Sequence, residues 1–419
     1  MVTKTETEIK QAMERINWDF DDYNSTKYPL DLNSIPWYPA TFPAPLPKYL
    51  IALLSEPEDV VFDPFGGKGT AAVETLKQRR QFVYNDLNPH AVEIIQCVID
   101  AIKLPENEEG LYQIVDIDKR NLNWEKDKNE FSSYLGKKEE LILQKLPNGF
   151  LAQLSDRTIK QDAIFWYHIE TLKELISLFD YINRFECSEN SVRKLAFLSI
   201  LKIVSSQRGH FSYVTDNCKP GELKYYNAID AYLDMLDRIQ RACVDFKRQY
   251  RILNRSEDIE AIIRQSIIHQ GDARNCAFLQ DESVDLIVTS PPYLCAQDYV
   301  LTMRLNDFFF PDEGFTKLPF DEIGPRRLRT RPGIVDAYFS DMSLVLKEMF
   351  RVLKRNAYFC LVIGQGKGNI SKNLDIIGRI LRDAEEVGFS LVFKKSRNIS
   401  YRTNRVGGVD KEDIVLFCK

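Results

Sequence analysis

Short apolar segments and longer stretches of helical periodicity alternate near both ends of the chain. Residues 284–288 form a compact, partly β-branched run that is typical of a buried parallel strand. Residues 89–103 instead carry an apolar stripe that predicts an amphipathic helix packed on a sheet. Further strands are predicted at 60–63, 81–85, 267–272, 357–363, 390–394 and 414–418, and further helices at 48–54, 338–353 and 374–387.

The pattern changes between residues 105 and 265, where long amphipathic segments carry little strand signal. Residues 105–110 have the composition of a linker. A chain of 419 residues accommodates two domains, or one domain with a large insertion. We therefore expect one domain formed by residues 1–104 and 266–419, interrupted by a mainly helical insertion over 105–265. Helices within the insertion are predicted at 166–185, 191–207 and 227–251.

Composition narrows the class of protein. No apolar run approaches the ~20 residues that a membrane span needs, and the N-terminal residues lack the apolar core of a signal peptide. Eight scattered cysteines without a Cys-x-x-Cys pair, and four isolated histidines, indicate neither a disulfide framework nor a metal site. We therefore expect a cytoplasmic protein without a membrane partner. The net charge of −5 still permits nucleic-acid binding through one basic face.

A glycine-rich turn follows the first predicted strand. The strand ends at Asp63, and Gly66-Gly67-Lys68-Gly69-Thr70 leads from it into a helix. Glycines let the backbone approach a ligand closely, and the helix N-terminus offers free N–H groups. Gly67, Gly69 and Ala72 also satisfy the dinucleotide fingerprint, so a nicotinamide-dependent enzyme is an alternative at this point.

The second predicted strand ends at Asp86, nineteen positions after Gly67. An acidic residue at that strand end accepts both ribose hydroxyls in many nucleotide-binding proteins. The alternative is that Asp86 merely caps the next helix.

Thr289-Ser290-Pro291-Pro292-Tyr293 follows the predicted strand at 284–288. Two prolines end the strand abruptly because neither has an N–H to donate, and they hold the carbonyls around Ser290 and Pro291 rigidly. Ligands bind at this edge of open α/β sheets. These carbonyls are therefore suited to accept hydrogen bonds from the exocyclic amino group of a base, while Tyr293 stacks on the face of that base. The alternative is a stiff turn without function.

Ser290-Pro291-Pro292-Tyr293 resembles motif IV of the S-adenosylmethionine-dependent amino-methyltransferases of DNA. Asp63-Pro64-Phe65 with its glycines resembles their motif I, apart from Lys68, which replaces a small residue. The proline-rich segment 37–47 resembles their motif X. The resemblance covers residues 36–104 and 266–419.

This resemblance implies a Rossmann-like, mostly parallel sheet that ends in an antiparallel hairpin, with S-adenosyl-L-methionine as cofactor. Ser290, Pro291, Pro292 and Tyr293 would be catalytic. Asp272, at the end of its short strand, would accept from the adenine amino group. The expected cofactor-binding residues are Phe42, Asp63, Phe65, Gly67, Gly69, Thr70, Asp86 and Asp272.

Arginine-rich segments are the expected DNA contacts. Residues 325–333 form a proline-bounded loop with four arginines. A second basic loop is predicted near the C-terminus, with Lys394, Lys395, Arg397, Arg402 and Arg405. The insertion would either recognise the target sequence or have only a structural role, packing against the rest of the protein. The arginines expected to contact nucleic acid are Arg326, Arg327, Arg329, Arg331, Arg402 and Arg405.

The predicted function is site-specific methylation of the exocyclic N4 of cytosine in DNA. Within the resembling family, Ser at the position of Ser290 goes mostly with cytosine, and Asp or Asn mostly with adenine. The sequence contains no Pro-Cys, which a carbon-5 cytosine methyltransferase would need. The alternatives are N6-adenine methylation of DNA, methylation of RNA or tRNA, and a catalytically inactive nucleic-acid-binding module. No nuclease motif is visible, so restriction would require a separate endonuclease as partner.

Overall fold

A parallel sheet forms the centre of the fold. The computed structural model describes residues 4–20, 31–35, 38, 41, 43–104, 134–135, 139–185, 190–207, 219–254, 259–364, 374–399 and 411–419. Within these ranges the main sheet has seven strands: β1 Val60–Asp63, β2 Gln81–Asp86, β3 Ile267–Gln270, β4 Val284–Thr289, β5 Leu353–Gly364, β6 Ser390–Asn398 and β7 Lys411–Cys418. Their order in the sheet is β3-β2-β1-β4-β5-β7-β6.

The strand pairing confirms the predicted fold class. Strands β1 to β5 are parallel, whereas β7 runs antiparallel to both β5 and β6 and closes the sheet as a hairpin. Strand β1 lies between β2 and β4, with Val61 opposite both Phe82 and Leu286. The carboxyl ends of β1, β2 and β4 therefore meet at one edge, as the chemistry predicted for their terminal residues requires.

Helices cover both faces of the sheet. They are α1 Glu6–Arg15, α2 Pro45–Leu54, α3 Thr70–Lys77, α4 Pro89–Lys103, α5 Glu139–Lys145, α6 Phe150–Ser155, α7 Ile169–Ile182, α8 Asn190–Ile200, α9 Ala228–Asn254, α10 Ile259–Gln265, α11 Tyr299–Thr302, α12 Arg304–Phe309, α13 Leu318–Asp321, α14 Ile334–Val352 and α15 Ile376–Val387. Neighbouring residues of a strand point to opposite faces, so Val61 packs with α1 and α2 while Phe62 packs with α14 and α15. Among these helices, none combines the length and apolar composition needed to cross a membrane.

The helices of the insertion share a core with α3 and α4. Buried side chains of α7, α8 and α9 join Ile94, Ile95 and Val98 of α4 in one cluster. Lys247 donates from its ammonium group to the Leu104 carbonyl, and Asn254 Nδ2 donates to the Lys77 carbonyl over 2.9 Å. The insertion therefore completes the core around α4.

Three helices differ from their predicted bounds within the insertion. The helix predicted at 166–185 begins at Ile169, because His168 accepts from the Glu170 N–H as its N-cap. The helix predicted from 191 to 207 ends at Ile200, and the one predicted at 227–251 extends to Asn254.

The first part of the predicted basic loop, from Lys394 to Arg397, is wrong, because these residues lie within strand β6, and the rest of that loop lies outside the described residues. The strand continues to Asn398 because it pairs with β7 throughout, with Arg397 opposite Glu412. Ion pairs satisfy the three cations: Lys394 with Asp413, Lys395 with Glu14 and Arg397 with Glu412.

Candidate active site

A cavity of about 870 Å³, its solvent-open mouth included, lies at the carboxyl edge of β1, β2, β3 and β4. The position agrees with the rule that ligands bind outside the carboxyl ends of parallel strands. Its walls come from the glycine turn, the ends of β2 and β3, the Ser290 loop and residues 321–323. The described lining residues are Tyr38, Thr41, Pro64, Phe65, Gly66, Gly67, Thr70, Asp86, Leu87, Asn88, Gly271, Asp272, Ala273, Ser290, Pro292, Tyr299, Val300, Asp321, Glu322 and Ile323.

The glycine turn is tightly packed against its surroundings. Gly67 and Gly69 both adopt positive φ angles, of 51° and 88°. A Cβ at Gly69 would lie 2.2 Å from Ile95 Cδ1, so only glycine fits this position without a shift of the Ile95 side chain. Beyond the turn, Thr70 Oγ1 is buried and has no hydrogen-bond partner among the described residues. That hydroxyl belongs to a residue of the cavity wall, so it is available to a ligand.

Asp86 presents its carboxylate to the cavity while organising the turn. One oxygen accepts from the Gly67 N–H and the other from the Asn88 N–H, each over 2.8 Å. Burial raises the pKa of Asp86 to about 6. Asn88, and not Asp86, is the N-cap of α4, accepting from the His90 N–H over 3.1 Å. The alternative interpretation of Asp86, as a helix cap, is therefore wrong.

Asp63 lies behind the cavity wall. Its Oδ1 atom accepts from Thr289 Oγ1 over 2.6 Å and from the Phe65 N–H over 3.1 Å. Burial raises the pKa of Asp63 to about 7. The side chain joins the ends of β1 and β4, and it is absent from the described cavity lining.

Asp272 lines the cavity from the end of β3, and Arg274 holds its carboxylate in place. The Arg274 Nε donates to both carboxylate oxygens, at 3.0 and 2.9 Å. The same guanidinium donates to Asp341 over 2.8 Å and to the Asp321 carbonyl over 2.9 Å. Asp272 is therefore oriented by a charge-assisted contact that sequence patterns did not reveal.

The Ser290–Tyr293 loop contributes unequally to the cavity. Ser290 and Pro292 line it, whereas Pro291 is buried and Tyr293, which is half-buried, is not among the described lining residues. The Tyr293 hydroxyl lies 3.2 Å from Ser290 Oγ and 2.7 Å from Glu412 Oε2. Tyr338 donates from its hydroxyl to the Pro292 carbonyl over 3.1 Å, which anchors the loop on α14.

The cavity wall also contains residues that sequence reasoning missed. Glu322 has a side chain only 6% exposed, and its Oε1 atom accepts from the Val300 N–H over 2.9 Å. Burial raises the pKa of Glu322 to about 8. With Asp86, Asp272 and Asp321 it brings four carboxyl groups to the cavity, and no lysine or arginine is among the described lining residues. Those carboxyl groups that are ionised would repel a pyrophosphate and attract a cation.

The predicted DNA-contacting arginines divide into two groups. Arg326 and Arg327 are half-buried, and the Arg327 N–H donates to Asp298 over 2.9 Å. Arg329 and Arg331 are exposed, a few residues from the cavity wall at 321–323. Phe42, Arg402 and Arg405 lie outside the described residues.

Comparison with known proteins places these features in context. A DNA methylase family model matches residues 3–97. The type II methyltransferase M.MjaII of Methanocaldococcus jannaschii is 22% identical, over 93% of this chain and 81% of that protein. The type II methyltransferase M.PvuII of Proteus hauseri is 34% identical, over 22% of this chain and 26% of that protein. A Thermus thermophilus protein solved with S-adenosyl-L-methionine is 20% identical, over 36% of this chain and 53% of that chain, with a TM-score of 0.22.

Proposed function

Because the chain belongs to the family of S-adenosylmethionine-dependent DNA amino-methyltransferases, we propose that it methylates the exocyclic N4 of cytosine at a specific site in DNA. The position of Ser290 in the cavity wall carries this proposal. In the family, serine at this position goes mostly with cytosine. A neutral hydroxyl also tolerates the ring-nitrogen acceptor beside the amino group of cytosine, which would repel a carboxylate.

The cavity fits a cofactor that carries positive charge. Four carboxyl groups line it, and the unpartnered Thr70 hydroxyl offers a further polar contact. S-adenosyl-L-methionine supplies, when bound, a methyl group on a cationic sulfonium. We expect Asp86 to accept from the ribose hydroxyls and Asp272 from the adenine amino group, with Gly67 leaving room for close approach.

The prolyl loop would act on the target amine by accepting its protons. An exocyclic amine is a poor nucleophile because its lone pair is delocalised into the ring. Hydrogen bonds to Ser290 Oγ and to the Pro291 carbonyl favour a pyramidal nitrogen, whose lone pair forms the new N–C bond. The electron pair of the broken C–S bond stays on sulfur, and the nitrogen then releases one proton to water. No covalent intermediate with the protein is needed.

The target base must leave the duplex to reach this loop. We propose that it stacks on Tyr293, which offsets the few kcal/mol that unstacking costs. The exposed Arg329 and Arg331 would hold the DNA backbone beside the cavity. We further propose that residues 105–265 recognise the target sequence, and the side chain of Tyr226, 42% exposed two residues before α9, is available for such a contact.

The base is tested by digesting methylated duplex DNA to nucleosides and identifying them by mass spectrometry. We expect N4-methylcytosine in DNA treated with the protein and cofactor, and none with a Ser290→Ala variant. A methyladenosine peak without methylcytosine would overturn the base assignment and leave amino-methylation standing. A parallel incubation with total RNA and labelled cofactor should give no incorporation.

We also propose that the protein works in the cytoplasm and that any cognate restriction endonuclease is a separate protein. The described cysteines are free thiols, as a reducing compartment favours. The purified chain with Mg²⁺ should leave unmethylated plasmid DNA intact. Cleavage at a defined site would contradict the separate-nuclease proposal.

A further inference from the structure

A chain of hydrogen bonds extends from Ser290 to a buried ion pair in the C-terminal hairpin. Ser290 Oγ lies 3.2 Å from the Tyr293 hydroxyl, which lies 2.7 Å from Glu412 Oε2. The other oxygen of Glu412 accepts from Arg397 Nε over 2.6 Å. The side chains of Arg397 and Glu412 are only 5% and 7% exposed, and Arg397 also donates to the Trp18 carbonyl over 2.8 Å.

The chemistry of these groups determines the direction of every bond. A guanidinium only donates and an ionised carboxylate only accepts, so the Tyr293 hydroxyl must donate its single proton to Glu412. The Tyr293 oxygen can then only accept from Ser290. Ser290 therefore donates its single proton to the Tyr293 oxygen. The lone pairs on the Ser290 oxygen remain free to accept a hydrogen bond from a group in the cavity that Ser290 lines.

We propose that Glu412 is a positioning residue that makes Ser290 an obligatory hydrogen-bond acceptor toward the target amine. The inference rests on the proposed function, in which Ser290 accepts a proton of that amine. A serine hydroxyl by itself either donates or accepts, and a donating Ser290 would engage the nitrogen lone pair that must attack. An aspartate in the same place would need no such device. Glu412, acting through Tyr293, therefore restricts Ser290 to accepting hydrogen bonds from the target amine.

The test compares Glu412→Gln and Tyr293→Phe with a matched control on the same strand. Asp413→Asn is the control, because Asp413 is also buried and accepts from Ser396 and Lys394 without reaching the cavity wall. At saturating cofactor and DNA, we expect Glu412→Gln and Tyr293→Phe each to lower kcat by about 10-fold or more, with little change in either KM. Asp413→Asn should keep kcat within about twofold of the wild type.

The double variant separates positioning from a structural role. Because both residues act through one chain of bonds, Glu412→Gln with Tyr293→Phe should lose no more activity than either single variant. Multiplied losses, or unchanged kcat in the folded single variants, would overturn the proposal. Thermal melting and cofactor calorimetry show whether each variant is folded. If Glu412→Gln does not fold, the kcat of Tyr293→Phe by itself tests the proposal. Wild-type protein that methylates no amino group would instead refute the proposed function.

Discussion

Thr289 Oγ1 donates a 2.6 Å hydrogen bond to the carboxylate of Asp63. These buried residues end the adjacent parallel strands β1 and β4, although 226 positions separate them in the chain. Asp63 precedes the glycine turn and Thr289 precedes Ser290. The bond therefore sets the spacing between the segment that would hold the cofactor and the loop that would hold the base.

Stability should depend on pH through Asp63. Burial raises the pKa of this carboxyl to about 7 from 3.8, so folding favours its protonated form. That contribution is complete below about pH 4 and is lost as the pH rises through 7, with each tenfold drop in proton concentration lowering the free energy of unfolding by up to about 1.4 kcal/mol. Asp63→Asn keeps an oxygen for Thr289 and Phe65 but does not titrate. Urea unfolding at pH 5.5 and 8.5 should show a larger loss of stability in the wild type than in Asp63→Asn, and equal losses would contradict the prediction.

Asp86→Ala should weaken binding of S-adenosyl-L-methionine by about 1.5–3 kcal/mol, the worth of a hydrogen bond to a charged group. Calorimetry measures the change directly. Asp321→Ala is the matched control, because it removes an exposed carboxylate from the same cavity. We expect a smaller effect there, since solvent screens an exposed charge. Unchanged affinity in Asp86→Ala, or binding of a nicotinamide dinucleotide by the wild type, would refute this role.

Cofactor binding at pH 7 should release protons from Glu322. The buried carboxyl has its pKa raised to about 8, so it is mostly protonated at pH 7. A bound cation favours the ionised form, and affinity should rise as the pH increases toward 8. Calorimetry in phosphate and in Tris reports the released protons as a difference in apparent enthalpy. Glu322→Gln should reduce that difference; an identical difference in both proteins would show that Glu322 does not respond to the ligand.

Arg329 and Arg331 should contribute to the salt dependence of DNA binding. Replacing both with alanine removes two exposed cations, so the slope of log affinity against log salt should fall by roughly two. Arg79→Ala with Arg355→Ala is the charge-matched control, since both residues lie at the amino edge of the sheet, away from the cavity. If both pairs change the slope equally, the segment 326–331 makes no special contact.

The insertion and the sheet should unfold together because they share a core. Leu236 on α9 is fully buried, so Leu236→Ala should cost about 2–5 kcal/mol. Cofactor binding and tryptophan fluorescence should be lost at the same denaturant concentration. Leu344→Ala, at a position 45% exposed on α14, should cost much less. Cofactor binding that persists after a first unfolding transition would show that the insertion is a separate unit.

Local patterns were sufficient for the parts of the site that a single segment builds. The positive φ angles of Gly67 and Gly69 follow from a strand–turn–helix that needs close backbone approach, and Asp86 lies at the strand end that its position predicted. Ser290 likewise follows β4 directly. In each case the chemistry depends on residues close together in the sequence, so periodicity and turn composition carry the information.

Contacts between distant segments were decided only by the tertiary structure. In the sequence, Glu412 is one of several charged residues that precede an apolar strand. The antiparallel pairing of β6 and β7 places it between Arg397 and Tyr293. Glu322 reads as a loop residue, and burial against Val300 makes it part of the cavity wall. The physical reason is that burial and charge pairing depend on which strands and loops become neighbours in the fold. The periodicity of one segment does not specify which other segments will pack against it.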